Sequence, residues 1–170
     1  MKKEFNDMIR RRVWRVMKHQ GMPKDWQCVK CKWVFKIKRN GVFRARLVAC
    51  GYSQVAGVDF TENYAPVIND VSFRVLIILM IMMKLKGKIV DVETAFLHGD
   101  LSEDIYMEIP DGLDTAEGYE EVKVSEDCLK LLKSCYGLVQ AAREWWKKLT
   151  AILKDIGFTG GNVDPCLYVL

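Results

Sequence analysis

Proline is scarce in this chain, at 4 of 170 residues, and histidine scarcer, at 2. So few prolines exclude a collagen-like repeat. With half the residues hydrophobic and 28% charged, a disordered tail and a coiled coil are excluded as well. Long apolar runs are also lacking. The longest, residues 75–83, is under half of what a membrane span requires. No apolar stretch follows the basic start MKKEFNDMIRRR, so a secretory leader is not expected. Internal repeats and low-complexity segments are absent. The six cysteines (28, 31, 50, 128, 135 and 166) lie mostly in apolar segments, which fits an intracellular protein with reduced thiols and not a secreted disulfide scaffold.

Charge is present in quantity, and it is lopsided. Residues 1–50 hold 15 Lys and Arg against 3 Asp and Glu, a net of +12. Residues 51–170 hold 11 against 19, a net of −8. One end of the chain is suited to an anionic partner, and the other gathers carboxylates.

Periodicity predicts the elements. Phe5, Met8, Ile9, Val13, Val16 and Met17 recur at helical spacing over residues 5–17. Trp33, Phe35 and Ile37 then alternate with lysines, and Phe43, Ala45, Leu47 and Ala49 resume the alternation after Asn40-Gly41. That is a hairpin pattern with a two-residue type I′ turn, apolar on one face and carrying Lys36, Lys38, Arg44 and Arg46 on the other. Residues 51–70 read as an irregular loop, and 71–86 as a buried, Met-rich helix ended by Gly87. Short strands are expected at 88–92, 105–109 and 128–132, with 110–127 as a solvated acidic connection. A second helix places Trp145, Leu149, Ile152, Leu153 and Ile156 on one face and stops at Gly157. Residues 167–170 read as a strand without a partner.

Five stretches resemble the reverse transcriptase domain of copia-type retrotransposons, in that family's order and spacing. They are KWVFKIKRN (32–40), RARLVACGYSQVAGVDFTENYAPV (44–67), IVDVETAFLHGDLSEDIYMEIPDG (89–112), CLKLLKSCYGLVQAAREWW (128–146) and GFTGGNVDPCLYVL (157–170). The fold this implies is α+β: the fingers and partial palm of a right-hand polymerase, truncated before the second catalytic hairpin. Residues 1–88 would belong to the fingers and 89–115 to the palm. Residues 116–142 would return to the fingers, and 143–170 would supply a palm helix and the start of a hairpin.

The resemblance also implies a site. Nucleotidyl transfer uses convergent carboxylates to hold two divalent ions. Asp91, after the apolar pair Ile89-Val90, matches the family's first metal-binding aspartate, with the backbone carbonyl of Val92 sharing in the coordination. Such oxygen ligands suit Mg²⁺. Read from its residue type alone, Asp91 is first of all a helix N-cap or turn aspartate, and the surrounding DVETAFLHGDL reverses that preference. Phe96 matches the bulky residue beneath the incoming sugar, although the same pattern fits an ordinary core phenylalanine. Lys38 and Arg39, with Arg44 or Arg46, would grip the triphosphate and template; a solvated sheet face is the alternative. Gly137 and Gln140 match the segment under the templating base pair, and Gly137 also reads as a turn glycine.

Cys50 and Val139 stand where lysine is usual in the family, and Ala142 stands where proline is. Glu93 likewise takes a lysine position. The family's tyrosine-x-aspartate-aspartate turn does not occur in these 170 residues. The expected function is therefore part of an RNA-directed DNA polymerase from a transposon Pol polyprotein, inactive as this chain alone. Its partners would be an RNA or DNA template-primer, dNTPs and the remaining palm, thumb and RNase H portions. The expected setting is cytoplasmic, in a virus-like particle, or nuclear. The alternative is a nucleic-acid-binding remnant without chemistry. Cys28 and Cys31 form a CxxC, but no second ligand pair follows at workable spacing, so stoichiometric zinc is not expected.

Overall fold

A computed structural model describes residues 1–24 and 26–170. Its centre is a three-stranded antiparallel sheet in the order β1 (Trp14–Lys18), β5 (Asp127–Lys133), β4 (Asp100–Met107). Beside it stands the hairpin of β2 (Cys31–Ile37) and β3 (Phe43–Ala49). Among the described residues three α-helices accompany these strands: α1 (Lys2–Arg10), α2 (Asp70–Met82) and α3 (Ala141–Asp155). The core joins Phe5 and Met8 of α1, Leu47 of β3, Ile105 and Met107 of β4, and Leu129 and Leu131 of β5, all at most 2% exposed. Each such side chain contributes roughly 1.5–3 kcal/mol by leaving water.

The helix expected over residues 5–17 is shorter than its periodicity suggests. It ends at Arg10. Arg12 takes a left-handed φ of 53°, its N–H donates to Ile9 O (2.8 Å), and the Val13 N–H reaches back to Met8 O (3.1 Å). This is a Schellman closure, with Met8 and Val13 both fully buried. The following residues pair with β5 instead, Trp14 opposite Leu131 and Lys18 opposite Asp127.

The hairpin is present, with Trp33 opposite Leu47 and Phe35 opposite Ala45, so the alternating apolar residues of the two strands share a face as expected. Its turn differs. Gly41 N–H donates to Lys38 O and Lys38 N–H to Val42 O, both at 2.9 Å, and only Gly41 of the Asn40-Gly41 pair has positive φ (75°). A type I′ turn needs both central residues there, so the loop is three residues with a glycine bulge.

Two apolar segments lack the cover that their composition calls for. α2 forms with Asn69 as its cap, the side chain accepting from Val71 N–H (2.8 Å), but none of its residues is buried. It closes at Lys84, which adopts φ 53° in place of the expected Gly87. Residues 88–92 form no strand: Ile89 is 98% and Val90 76% exposed. A strand exists only by pairing, and among the described residues nothing pairs there.

Two further expectations change. Within 110–127, Leu113 and Ala116 are buried against the core, so the connection is anchored and not merely solvated. Residues 168–169 do find a partner: β7 (Tyr168–Val169) pairs with β6 (Thr159–Gly160). The irregular 51–70 loop, β5 and the α3 stop before Gly157 match the sequence reading.

Candidate functional site

Lys38, Arg44, Arg46, Asp91, Val92 and Phe96 line one open cleft of about 540 Å³. Three elements build it. Strand alternation puts Arg44 and Arg46, opposite Lys36 and Val34, on one face of the hairpin. Facing them is the segment from Asp91 to Phe96, which runs into the 3-10 turn Ala95–His98. That turn is pinned by Leu97, which is fully buried, and by Gly99, where a Cβ would stand 2.9 Å from the Glu144 backbone of α3. α1 closes the third side with Lys3, Glu4 and Asp7.

An aromatic bridge crosses the floor. The Arg46 guanidinium lies 4.8 Å from the Tyr136 ring centroid, and Tyr136 meets Phe96 edge-on at 5.6 Å. Phe96 therefore both packs against the core and faces the cleft. Asp91 caps no helix: the 3-10 turn starts after Thr94, and the Asp91 side chain is exposed. Among the described residues no hydrogen bond or ion pair engages it.

Sequence reasoning missed Glu4, Asp7, Thr94 and Tyr136. Glu4 is the most informative of these. One carboxylate oxygen is buried without a hydrogen-bond partner, as is Arg46 Nε. Burial pushes the Glu4 carboxyl above its ordinary value, while the backbone at Leu47 and the guanidinium groups of Arg46 and Arg44 pull it partway back. Thr94 holds φ 52°, a conformation costly for a β-branched residue. Nothing in helical periodicity distinguishes a cleft-facing acid from a solvated one, so these residues carried no signal.

Arg39, Gly137 and Gln140 do not line the cleft. Arg39 is exposed in the hairpin turn. Gly137 and Gln140 instead clamp the segment that leaves β3. Gln140 is fully buried; its Nε2 donates to Asp59 O (2.8 Å) and its Oε1 accepts from Gln54 Nε2 (3.0 Å). Gln54 Oε1 in turn accepts from Val139 N–H (2.8 Å).

The family described as "Reverse transcriptase (RNA-dependent DNA polymerase)" matches residues 11–170. The chain belongs to this family. The retrovirus-related Pol polyprotein from transposon TNT 1-94 of Nicotiana tabacum is 41% identical over 86% of the chain. That from transposon RE1 of Arabidopsis thaliana is 34% identical over the full chain. A Saccharomyces cerevisiae Ty1-BL Gag-Pol polyprotein is 22% identical over 98%. The chain spans about a tenth of the length of each. No solved structure matches it significantly. It is thus a mixed α/β reverse transcriptase segment of the kind found in transposon Pol polyproteins. Among the described residues no helix is long and apolar enough to cross a membrane.

Proposed function

We propose that the cleft is the nucleotide-binding side of a right-hand polymerase active site, formed by fingers (residues 1–88 and 116–142) and part of a palm (89–115 and 143–170). What supports this reading is that Asp91 and Phe96 face Lys38, Arg44 and Arg46 across one opening. Lys38 and the two arginines bind phosphate, Arg by its planar fork and Lys as a point charge. Phe96, braced by Tyr136, fills the space that a 2′-hydroxyl would need. Arg39 reaches template from the hairpin turn, and the Gly137–Gln140 clamp sets the wall beside the templating pair.

The donors at the acidic end are oxygen only, the Asp91 carboxylate and the Val92 carbonyl, with Glu93 beside them. They fit one loosely held Mg²⁺. They do not fit a two-ion clamp, because the 170 residues contain no adjacent aspartate pair and, among the described residues, Asp91 belongs to no cluster of three or more candidate ligands. In a complete site the ions would supply charge stabilisation of the transferring phosphoryl group. The chain by itself therefore binds template-primer and does not extend it.

Fluorescence anisotropy with a labelled template-primer tests the binding. Affinity should fall with salt, and the double change Lys38→Ala, Arg44→Ala should lower the log–log slope by up to about 2, near 0.9 per phosphate contact. An unchanged slope and affinity would refute the assignment. Primer extension with Mg²⁺ or Mn²⁺ should not exceed a heat-denatured control, and template-dependent extension would overturn the inactivity.

A further inference from the structure

The polymerase reading uses none of the cysteines, all six of which are free thiols. The fold brings two of them to a histidine. His19, in the 3-10 turn after β1, Cys28, just before β2, and Cys128 on β5 place their ligand atoms within 4.8 Å of one another. A fourth soft donor joins them: Met22 Sδ lies 3.7 Å from Cys28 Sγ and 3.9 Å from Cys128 Sγ. Sulfurs bound at about 2.3 Å around a tetrahedral ion stand about 3.8 Å apart, so these separations already match a coordination edge.

Well-paired backbone holds each donor in place. His19 N–H donates to Glu126 O (2.8 Å) and Met22 N–H to His19 O (3.0 Å). Cys128 sits opposite Met17 in the β1–β5 ladder, and Val29, next to Cys28, bridges to Met107 of β4. Cys31 is not part of the group: its thiol donates to Glu108 O (3.5 Å). The CxxC spacing therefore points to the wrong pair, and the true neighbour of Cys28 lies on a distant strand.

We propose that His19, Met22, Cys28 and Cys128 bind one thiophilic d¹⁰ cation, Zn²⁺ or Cu⁺. One imidazole and two thiolates suit both ions, and the thioether adds a ligand preferred by Cu⁺. Burial pushes the Cys28 thiol up to about 12 and raises Cys128, which disfavours a reactive redox pair. On binding, the two cysteine S–H bonds break and their protons leave to solvent, while two metal–thiolate bonds, one metal–thioether bond and one metal–imidazole bond form. The ion then staples the segment between β1 and β2 to the sheet. None of its four ligands lines the polymerase cleft.

The test uses the purified chain kept reduced under anaerobic conditions, loaded separately with Zn²⁺ and Cu⁺, desalted and analysed by mass spectrometry for metal. About one ion per chain is expected, and Co²⁺ substitution should give intense thiolate charge-transfer bands. Cys28→Ser and His19→Gln should each weaken binding at least ~10-fold with unchanged circular dichroism, while Cys31→Ser leaves it intact. Met22→Leu should weaken Cu⁺ more than Zn²⁺, and no loss for either ion would overturn the four-ligand assignment. Substoichiometric binding of both ions by the parent chain, or equal loss in Cys31→Ser, would overturn the proposal. Template-primer affinity is read separately and is expected to be unaffected.

Discussion

Replacing Gly137 by alanine loads two independent costs onto one atom. The first is conformational. Gly137 holds φ +90°, and placing an L side chain in the left-handed region costs roughly 1–2 kcal/mol. The second is steric. The new Cβ would meet the Ala49 carbonyl oxygen at 2.1 Å and Val48 Cγ1 at 2.5 Å, distances that require the backbone to move. Movement there strains the Ala49 N–H to Tyr136 O bond (2.7 Å), and such overpacking adds roughly 1–3 kcal/mol. The expected loss is therefore roughly 2–5 kcal/mol, or a Tm drop of order 10 °C for a chain of this size. Gly118→Ala is the matched control. It has φ +83° with nothing within 4 Å of its Cβ, so it should pay only the first cost. Urea unfolding followed by tryptophan fluorescence compares the two. Equal losses in both variants would refute the steric half of the reasoning, and with it the view that this junction holds the Tyr136 wall of the cleft.

Uncovered α2 should make the isolated chain aggregation-prone, and Val75→Lys with Ile78→Glu should reduce light scattering without lowering helix content; unchanged scattering would show that another surface drives association. Acid should destabilise the fold through Asp164 and Asp127. Backbone N–H groups of Asn69 and Cys166 hold the Asp164 carboxyl below its usual value, and the Lys123 N–H and the Lys18 ammonium do the same for Asp127. Stability from such depressed carboxyls is complete above the unfolded value near 3.9 and is lost as pH falls through the folded value. Asp164→Asn should flatten the unfolding profile measured between pH 5 and pH 2, and an unaltered profile would remove this residue from the account.

Local pattern carried some elements fully and failed for others, for identifiable reasons. The β2–β3 hairpin was legible because both strands and the turn lie within twenty consecutive residues. β1 was not, because Val13, Val16 and Met17 have the same spacing on a helical face, and only pairing with β5 decides between them. The apolar character of α2 and of residues 88–92 states what those segments need, not whether the described residues supply it. The same distinction separates the two halves of the site. The cations and Asp91 were legible through motif and charge, whereas Glu4 and Tyr136 enter only when α1 and the turn after β5 are folded against the hairpin.

Several departures from ordinary folding rules border the cleft, although unpartnered buried atoms such as Arg11 Nε, Ser134 Oγ and Arg143 Nε occur away from it as well. Glu4 Oε1 and Arg46 Nε are buried without partners, Thr94 is strained, Asp91 is unengaged, and Phe96 is only partly buried, all around the same opening. Behind that face, Gln140, Gln54 and Asp59 satisfy one another closely. Buried polar groups without partners each cost on the order of 1–3 kcal/mol, and a fold tolerates them where a ligand supplies the missing bonds. Arg46 is short of an acceptor and Glu4 resists ionisation beside it. On the proposed reading of the cleft, a phosphate entering it would supply the acceptor that Arg46 Nε lacks.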